Sequence, residues 1–458
     1  MSIFTSPTAE DVNGSTLKIQ SGHNVLARQP NGDVRSIKID RDSTVAVGRL
    51  GSFHANELIG HPYGFSYEMV NKQLKVLPVR TLEEVEDTDA TNELINDGEF
   101  VQPLTLEEIQ TLKQSGVHAS EIIKKQIEQH ANYSLKTEYS KDKYKKRKEA
   151  KYSKSFTTIE PTIYNVCNYW FNKDQNRIRD IRPDTLSQIL TMANIQPGGR
   201  YLAVDDASGL VVAAILDRLG GSGMLLTICD TDSPPAYPVV ANMNFSPEMV
   251  QSVLISLNWA NSEQEYVSVH APVEVPVDEI RSDRQKTRLR KRKAAYDLLE
   301  NTREELFGGE FEALVVASQY EPSGIIDRLV PYLAGSASIV AHSPHSQPLV
   351  DLQNKLRNTP GFLGPSLTEG WLRQYQVLPG RTHPTMNTSG SGGYILHAIK
   401  VCVSFHSAQL LHLMQDDSSY DDPTANSVII PRSQKTKMNI DCGAVHSAAA
   451  TPTLLSSS

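Results

Sequence analysis

The chain has 458 residues, 39% hydrophobic and 21% charged, which suits a globular protein of two or three domains and excludes a disordered one. It holds no apolar run of the roughly 18 residues that a membrane span needs, so no membrane contact is expected. The formal net charge of −8, taken as an average, argues against a nucleic-acid binder. The average misleads, because residues 83–99 hold eight acids and no base and the remainder sums to zero. The opening MSIFTSPTAEDVNG lacks the basic and apolar parts of a signal peptide. Cys167, Cys229, Cys402 and Cys442 form no CxxC pair and read as reduced thiols.

Residues 16–82 read as a small β-barrel-like domain. Asn31-Gly32 is the favoured pair for a two-residue hairpin turn, and Ile37 and Ile39 alternate with Lys38 just beyond it. Further strands are expected at TVAV (44–47), FSYEM (65–69) and LKVLPV (74–79). The acidic stretch 83–104 reads as a flexible linker with little to bury. A basic helical segment follows over 105–160. Thr105 and Glu108 stand at capping-box spacing, and Leu106, Ile109 and Leu112 share one helix face. Gly116 should break that helix, and 119–131 should form a second.

Charge is segregated in two places. Residues 136–154 carry nine Lys or Arg against three acids, and 281–293 carry eight against one. Such local fields attract phosphates whatever the total charge. In the first block the bases interleave with Tyr133, Tyr139, Tyr144 and Tyr152, and tyrosine rings can stack on unpaired bases, so RNA contact is expected there. A solvated charged helix is the bland alternative. The second block lies in an insertion, about 262–310. It reads equally as an RNA contact, a nuclear-import signal or an exposed helix leading into AAYDLLENTREEL.

From 161 to 403 the pattern is alternating β/α, an α/β domain of the doubly wound kind. GGRYLAVDDASGLVVAAILDRLGGSGMLLTICD (198–230) predicts a strand at 201–205, a helix at 209–219 and a strand at 224–229. An S-adenosylmethionine site here needs an acid closing the first strand, then roughly G-x-G-x-G. Asp205 and Gly209 keep two of those positions, while Ala207 and Val211 replace two glycines. Val211 is expected to crowd the cofactor. The second strand should end in a carboxylate for the ribose, and Asp230 comes one residue late. The segment FEALVVASQYEP (311–322) predicts a strand ending in Val316-Ala317-Ser318-Gln319. An adenine-N1 methyltransferase needs a carboxylate there, because the attacked ring gains positive charge. The first carboxylate is Glu321, displaced into the loop.

His342 and His345 lack metal-ligand neighbours and read as loop residues. SGSGG (389–393) should turn a last hairpin between 372–379 and 394–401. The remainder, 404–458, is Ser-, Thr- and Ala-rich and expected to be mostly disordered.

These residues resemble the non-catalytic subunit of the eukaryotic tRNA (adenine-58-N1) methyltransferase. The resemblance covers roughly 20–403. It is densest at TVAVGRLGSF (44–53), IGHPYG (59–64), LTLEEIQTLKQSGVHASEIIKKQIEQ (104–129), KDKYKKRKEAKY (141–152), IRPDTLSQIL (181–190) and LRQYQVLPGRTHPTM (372–386). It implies a degenerate Rossmann-like methyltransferase domain with no catalytic residue and no cofactor of its own. It also implies a catalytic partner of the same fold that holds S-adenosylmethionine, two copies of each subunit in a heterotetramer, tRNA as ligand, and a nuclear location. RNA contact is carried over to Lys141, Lys143, Lys145, Lys146, Arg147, Lys148 and Lys151 in the basic segment, and to Arg373 and Arg381 near the end. An active S-adenosylmethionine-dependent RNA methyltransferase and a translation-related protein scaffold are the competing readings.

Overall fold

The computed structural model describes residues 17–70, 72–78, 105–115, 117, 119–129, 133, 138–231, 235–267, 283–378 and 381–401. The acidic linker, Gly116 and the expected disordered tail lie outside the described residues.

The N-terminal strands are β1 (His23–Arg28), β2 (Val34–Ile39), β3 (Thr44–Ala46), β4 (Ser52–His54), β5 (Ser66–Val70) and β6 (Gln73–Leu77). The first hairpin forms, but its loop is longer than the expected two residues. Gln29 N–H still donates to Asp33 O at 2.8 Å, leaving a loop of Pro30, Asn31 and Gly32. Gly32 takes φ +92°, the left-handed position that such a loop reserves for glycine. Ile37 and Ile39 are buried and Lys38 is exposed, as the alternation requires.

Three helices follow: α1 (Leu106–Gln114), α2 (Ala119–Glu128) and α3 (Glu138–Tyr152). The capping box closes α1. Thr105 N–H donates to Glu108 Oε2 at 2.9 Å, and Glu108 N–H donates to Thr105 Oγ1 at 3.3 Å. Ile109, Ile122, Ile123 and Tyr152 form a small core of their own, with Leu112 against it.

The expected division into a β-domain and a separate helical segment is corrected by β7 (Ser155–Ile159). This strand lies inside the N-terminal sheet, whose order is β2-β1-β7-β5-β6. The helical hairpin is therefore an insertion into the β-domain, delivered between β6 and β7. β3 lies beside β2 and β4 beside β6, so the short pair bridges the open edges and makes the domain barrel-like. Phe53 and Phe156 stack at 5.6 Å in its core, with Tyr67 5.8 Å from Phe156.

Helices α4 (Ile163–Lys173) and α5 (Pro183–Met192) lead into β8 (Arg200–Asp205), α6 (Leu210–Leu219) and β9 (Met224–Cys229), within a residue of the expected bounds. Then come α7 (Pro238–Asn242), α8 (Pro247–Val253), β10 (Leu254–Asn258), α9 (Asp283–Gly308), β11 (Phe311–Ala317), α10 (Pro322–Leu329), β12 (Leu333–Ser343) and α11 (Ser346–Asn358). The last described strands are β13 (Phe362–Glu369), β14 (Tyr375–Leu378), β15 (Arg381–Pro384) and β16 (Tyr394–Lys400). The large sheet has the order β10-β9-β8-β11-β12-β16-β13. Its first five strands are parallel and reverse direction of winding between β8 and β11, which puts the ligand crevice beyond the ends of those strands.

The last hairpin differs from expectation. β16 pairs with β12 and β13, not with 372–379. Instead Tyr375–Leu378 pairs with Arg381–Pro384 as the separate two-stranded arm β14–β15. His342 is likewise no loop residue: it lies in β12 and is buried, its Nε2 3.2 Å from Gly392 O. His345 sits at the N-terminal boundary of α11.

Candidate functional site

β8 delivers Asp205 to the crevice, where its carboxylate turns inward. Asp205 Oδ1 accepts from Ala207 N–H at 2.7 Å and Gly209 N–H at 3.3 Å, and Oδ2 accepts from Val212 N–H at 2.9 Å. Burial raises its pKa to about 6, against those three donors, which favour the anion. The residue is thus spent on holding its own turn. Ala207 and Val211 are fully buried in the core beneath the sheet. The left-handed positions of the turn are Ser208 and Gly209, at φ +59° and +81°, so Ala207 is not strained.

The obstruction comes from Tyr237, a residue that the sequence pattern does not single out. A methyl built on Gly209 would stand 2.5 Å from Tyr237 Cβ, so this side chain covers the one glycine that the fingerprint keeps. Burial raises the Tyr237 pKa; Thr227 offers it a hydrogen bond, and the charges of Asp205, Cys229 and Asp206 add to the rise. Tyr237 therefore lies across the ends of β8 and β9, where a cofactor would need bare backbone. The Tyr237 ring thus stands over the backbone that S-adenosylmethionine would have to approach.

The other positions agree with a site that has lost its chemistry. Ser318 follows β11 where the carboxylate is required, and its hydroxyl donates to Asp206 Oδ2 at 2.6 Å. Gln319 N–H donates to the same oxygen at 2.9 Å. Glu321 caps α10, accepting from Ser323 N–H at 3.0 Å and Gly324 N–H at 3.1 Å. Asp230 stands exposed just past β9, with the Tyr320 hydroxyl donating to it at 3.4 Å. It borders an open cavity of about 460 Å³ with Trp259, Tyr320 and Arg328. Arg328 covers Trp259 at 5.9 Å and pairs with Glu263, so the cavity's cation is already engaged.

The basic residues fall on α3. Lys145, Arg147 and Lys151 are exposed, while Lys141 and Lys148 are half-buried. The side chains of Lys143 and Lys146 lie outside what is described, although both belong to the same helix. Lys148 sits 5.0 Å from the Tyr144 ring centre and Lys151 5.5 Å from that of Tyr152. Tyr133, Tyr144 and Tyr152 do not match the stacking expectation, and the side chain of Tyr139 lies outside what is described. Tyr152 is buried in the helical core, and Tyr144 meets Tyr133 edge-on at 5.9 Å. They hold α3 in place and leave Lys145, Arg147 and Lys151 exposed. Arg373 lies ahead of β14, partly buried, with its Nε enclosed and without a hydrogen-bond partner. Arg381 opens β15 on the far side of the arm's turn, its side chain undescribed. The structure thus groups the α3 residues and leaves Arg373 and Arg381 on a separate element. Among the described residues no cluster of His, Cys, Asp or Glu could hold a metal ion, and no helix is long and apolar enough to cross a membrane.

Residues 18–292, well over half of the chain, match the Gcd10p family. The chain belongs to that family. Gcd10p relatives include a Debaryomyces hansenii protein named tRNA (adenine(58)-N(1))-methyltransferase non-catalytic subunit TRM6, 27% identical over 416 residues, covering 84% of this chain and 87% of that protein. A Dictyostelium discoideum protein of the same name is 29% identical over 418 residues, covering 84% and 79%. Among solved structures, the tRNA (m1A58) methyltransferase TrmI from Aquifex aeolicus superposes with a TM-score of 0.42 at 12% identity, covering 84% of this chain and all of that one. A superposition that loose leaves the fold to be read from strand order. The Gcd10p match runs from the β-domain through the helical hairpin and the crevice into α9, and so takes in both basic segments.

Proposed function

We propose that this Gcd10p-family chain is the non-catalytic subunit of a tRNA (adenine(58)-N(1))-methyltransferase, gripping tRNA while a catalytic partner supplies S-adenosylmethionine and the chemistry. The observation that carries this reading is the closed crevice. Tyr237 covers Gly209, Asp205 is bound into its own turn, and Ser318 stands where a carboxylate is required. The names of the relatives supply the substrate and the need for a partner. The exposed bases of α3 supply the means of holding phosphates. An adenine stacked in folded RNA must be exposed before its N1 can react, at a cost of a few kcal/mol. A second subunit that clamps the RNA body offsets part of that cost. The reading includes two copies of each subunit and a nuclear location.

The test is reconstitution. The chain alone should give no methylation of tRNA, and co-expression with a catalytic subunit should give N1-methyladenosine at position 58. Calorimetry on the isolated chain should detect no binding of S-adenosylmethionine. Micromolar affinity would return the active-enzyme reading. Failure of the assembled complex to retain tRNA on a filter would favour a protein scaffold instead.

The arm offers a contact for the partner. Trp371, Val377 and Met386 on and beside β14–β15 are 79, 74 and 89% exposed, a costly display for a chain that works alone. Trp371→Ala combined with Val377→Lys should weaken assembly by about tenfold or more, since buried aromatic anchors dominate interface energies. Light scattering should then show the complex dissociating, and an unchanged assembly would place the interface elsewhere.

A further inference from the structure

The second basic block, 281–293, is not used by anything described above. From Asp283 onward it is the first half of α9, one continuous helix of 26 residues. At 1.5 Å per residue that helix is about 39 Å long. The strand it feeds, β11, has seven residues and spans only about 23 Å. The C-terminal half of α9 is anchored at the start of the sheet. Arg200, which opens β8, pairs with Glu305 at 3.0 Å, and Leu306 is buried. Because α9 connects parallel strands, it runs antiparallel to them alongside β10, so its N-terminal half lies toward the edge where the strands end. About 16 Å of helix is left over, or some ten residues at the same rise, and these are the basic ones.

The register of the bases is informative. Arg284, Arg288, Lys291 and Arg292 continue the i, i+3, i+4 stripe that carries Leu299, Thr302 and Leu306 farther along. The stripe that faces the core farther along becomes cationic where, among the described residues, no core lies beneath it. All four are exposed, and the other bases, Lys286, Arg290 and Lys293, point to the opposite side. Among the described residues the acid that pairs with this half is Asp283, 3.9 Å from Lys286 on that opposite side.

We propose that the first half of α9 is a second RNA-binding element, with Arg284, Arg288, Lys291 and Arg292 contacting the phosphate backbone of RNA lying at the strand-end edge of the sheet. This rests on the reading of the chain as an RNA-holding subunit and adds a surface to it. A nuclear-import receptor is the other macromolecule that a basic run suits. The continuous helix, tied down at its far end, favours a preformed phosphate-binding face over a peptide to be read out.

The experiment uses the assembled complex with unmodified tRNA. The salt dependence of binding is measured for wild type, for Arg284→Ala/Arg288→Ala/Lys291→Ala/Arg292→Ala, and for the opposite-face control Lys286→Ala/Arg290→Ala/Lys293→Ala. Loss of two or more contacts on the first face should flatten the log–log slope by about 1.4–1.8. Affinity near physiological salt should fall by about tenfold or more, with the control changed by less than about threefold. The threefold version Arg284→Lys/Arg288→Lys/Arg292→Lys, with Lys291 left as it is, keeps the charge and should keep the slope. Equal effects from both faces, or an unchanged slope in the first variant while wild type binds, would overturn the proposal. So would cytoplasmic accumulation of that variant with normal tRNA binding, which would assign the block to import. Absence of tRNA binding by the wild-type complex would instead defeat the RNA-holding reading on which the proposal stands.

Discussion

Asp205→Ala should cost about 3 kcal/mol of stability and leave methylation by the surviving complex near wild type. The carboxylate accepts from Ala207, Gly209 and Val212 N–H, and all three lose that acceptor in the variant. Buried donors without partners cost about 1–3 kcal/mol each, or roughly 6 for the set. Against this stands the relief from burying a carboxylate whose pKa is raised by burial to about 6 from 3.8, which is worth about 3 kcal/mol at neutral pH. The direction with pH follows. A carboxylate whose folded pKa is raised contributes stability that is fully present below the unfolded value and lost as pH rises through the folded one. Between pH 7 and pH 5, Asp205 should therefore add about 1 kcal/mol on acidification. His342 opposes it. Burial lowers its pKa to about 4, so stability is lost as pH falls through 6.5, by about 2 kcal/mol over the same interval. The difference in urea midpoint between wild type and Asp205→Asn, followed from pH 7 to 5, isolates the first effect. Loss of methylation in an assembled Asp205→Ala complex would give this carboxylate the active role denied to it here.

Much of the α/β domain was legible because its signals are local. β8 and β9 are buried on both faces and read as continuous apolar runs, and left-handed Gly209 and Gly220 bracket α6. The capping box of α1 is likewise a four-residue pattern. What escaped is pairing at long range. β7 must find β1 and β5 across the whole helical insertion, and nothing within SFTTI specifies that partner. β13 carries Gly364 and Pro365 at a register shift between Leu363 and Ser366, so it reads as a loop although it forms the sheet edge. The alternation in 375–378 fits a sheet partner of β16 as well as one strand of a free arm.

The candidate site divides along the same line. The absences at Ala207, Val211 and the end of β11 could be read from spacing. The group that covers the crevice could not, because Tyr237 is the N-cap of α7, nearly thirty residues beyond Gly209, and its position depends on how α7 packs against α6. For Tyr144 and Tyr152 of α3, composition pointed toward RNA bases and packing turned them inward. A ring beside a cation serves a helical core as readily as it serves a nucleotide, and only the neighbouring Ile122, Ile123 and Gln126 decide between the two.

The last expectation concerns α3 and separates a phosphate-binding helix from a merely charged one. Replacing Lys143, Lys145, Lys146, Arg147 and Lys148 with Ala should weaken tRNA binding by the complex by about tenfold to a hundredfold at moderate salt, without disrupting assembly. Assembly should survive because the core of this hairpin is built from Ile109, Ile122, Ile123 and Tyr152, none of which is changed. Each phosphate neutralised by a cation releases condensed counterions, so affinity falls with salt in proportion to the contacts made. Removing two or three contacts should flatten the log–log slope by about 0.7–0.9 per contact. A helix that only adds to the general field loses attraction at low salt but has no contacts to lose, so its slope stays put. The salt titration, rather than any one dissociation constant, therefore decides. Methylation at saturating tRNA should fall less than binding does, because none of the five lies in the crevice. Unchanged slope together with unchanged affinity would return α3 to the solvent and move the search for the tRNA grip to other elements of the chain.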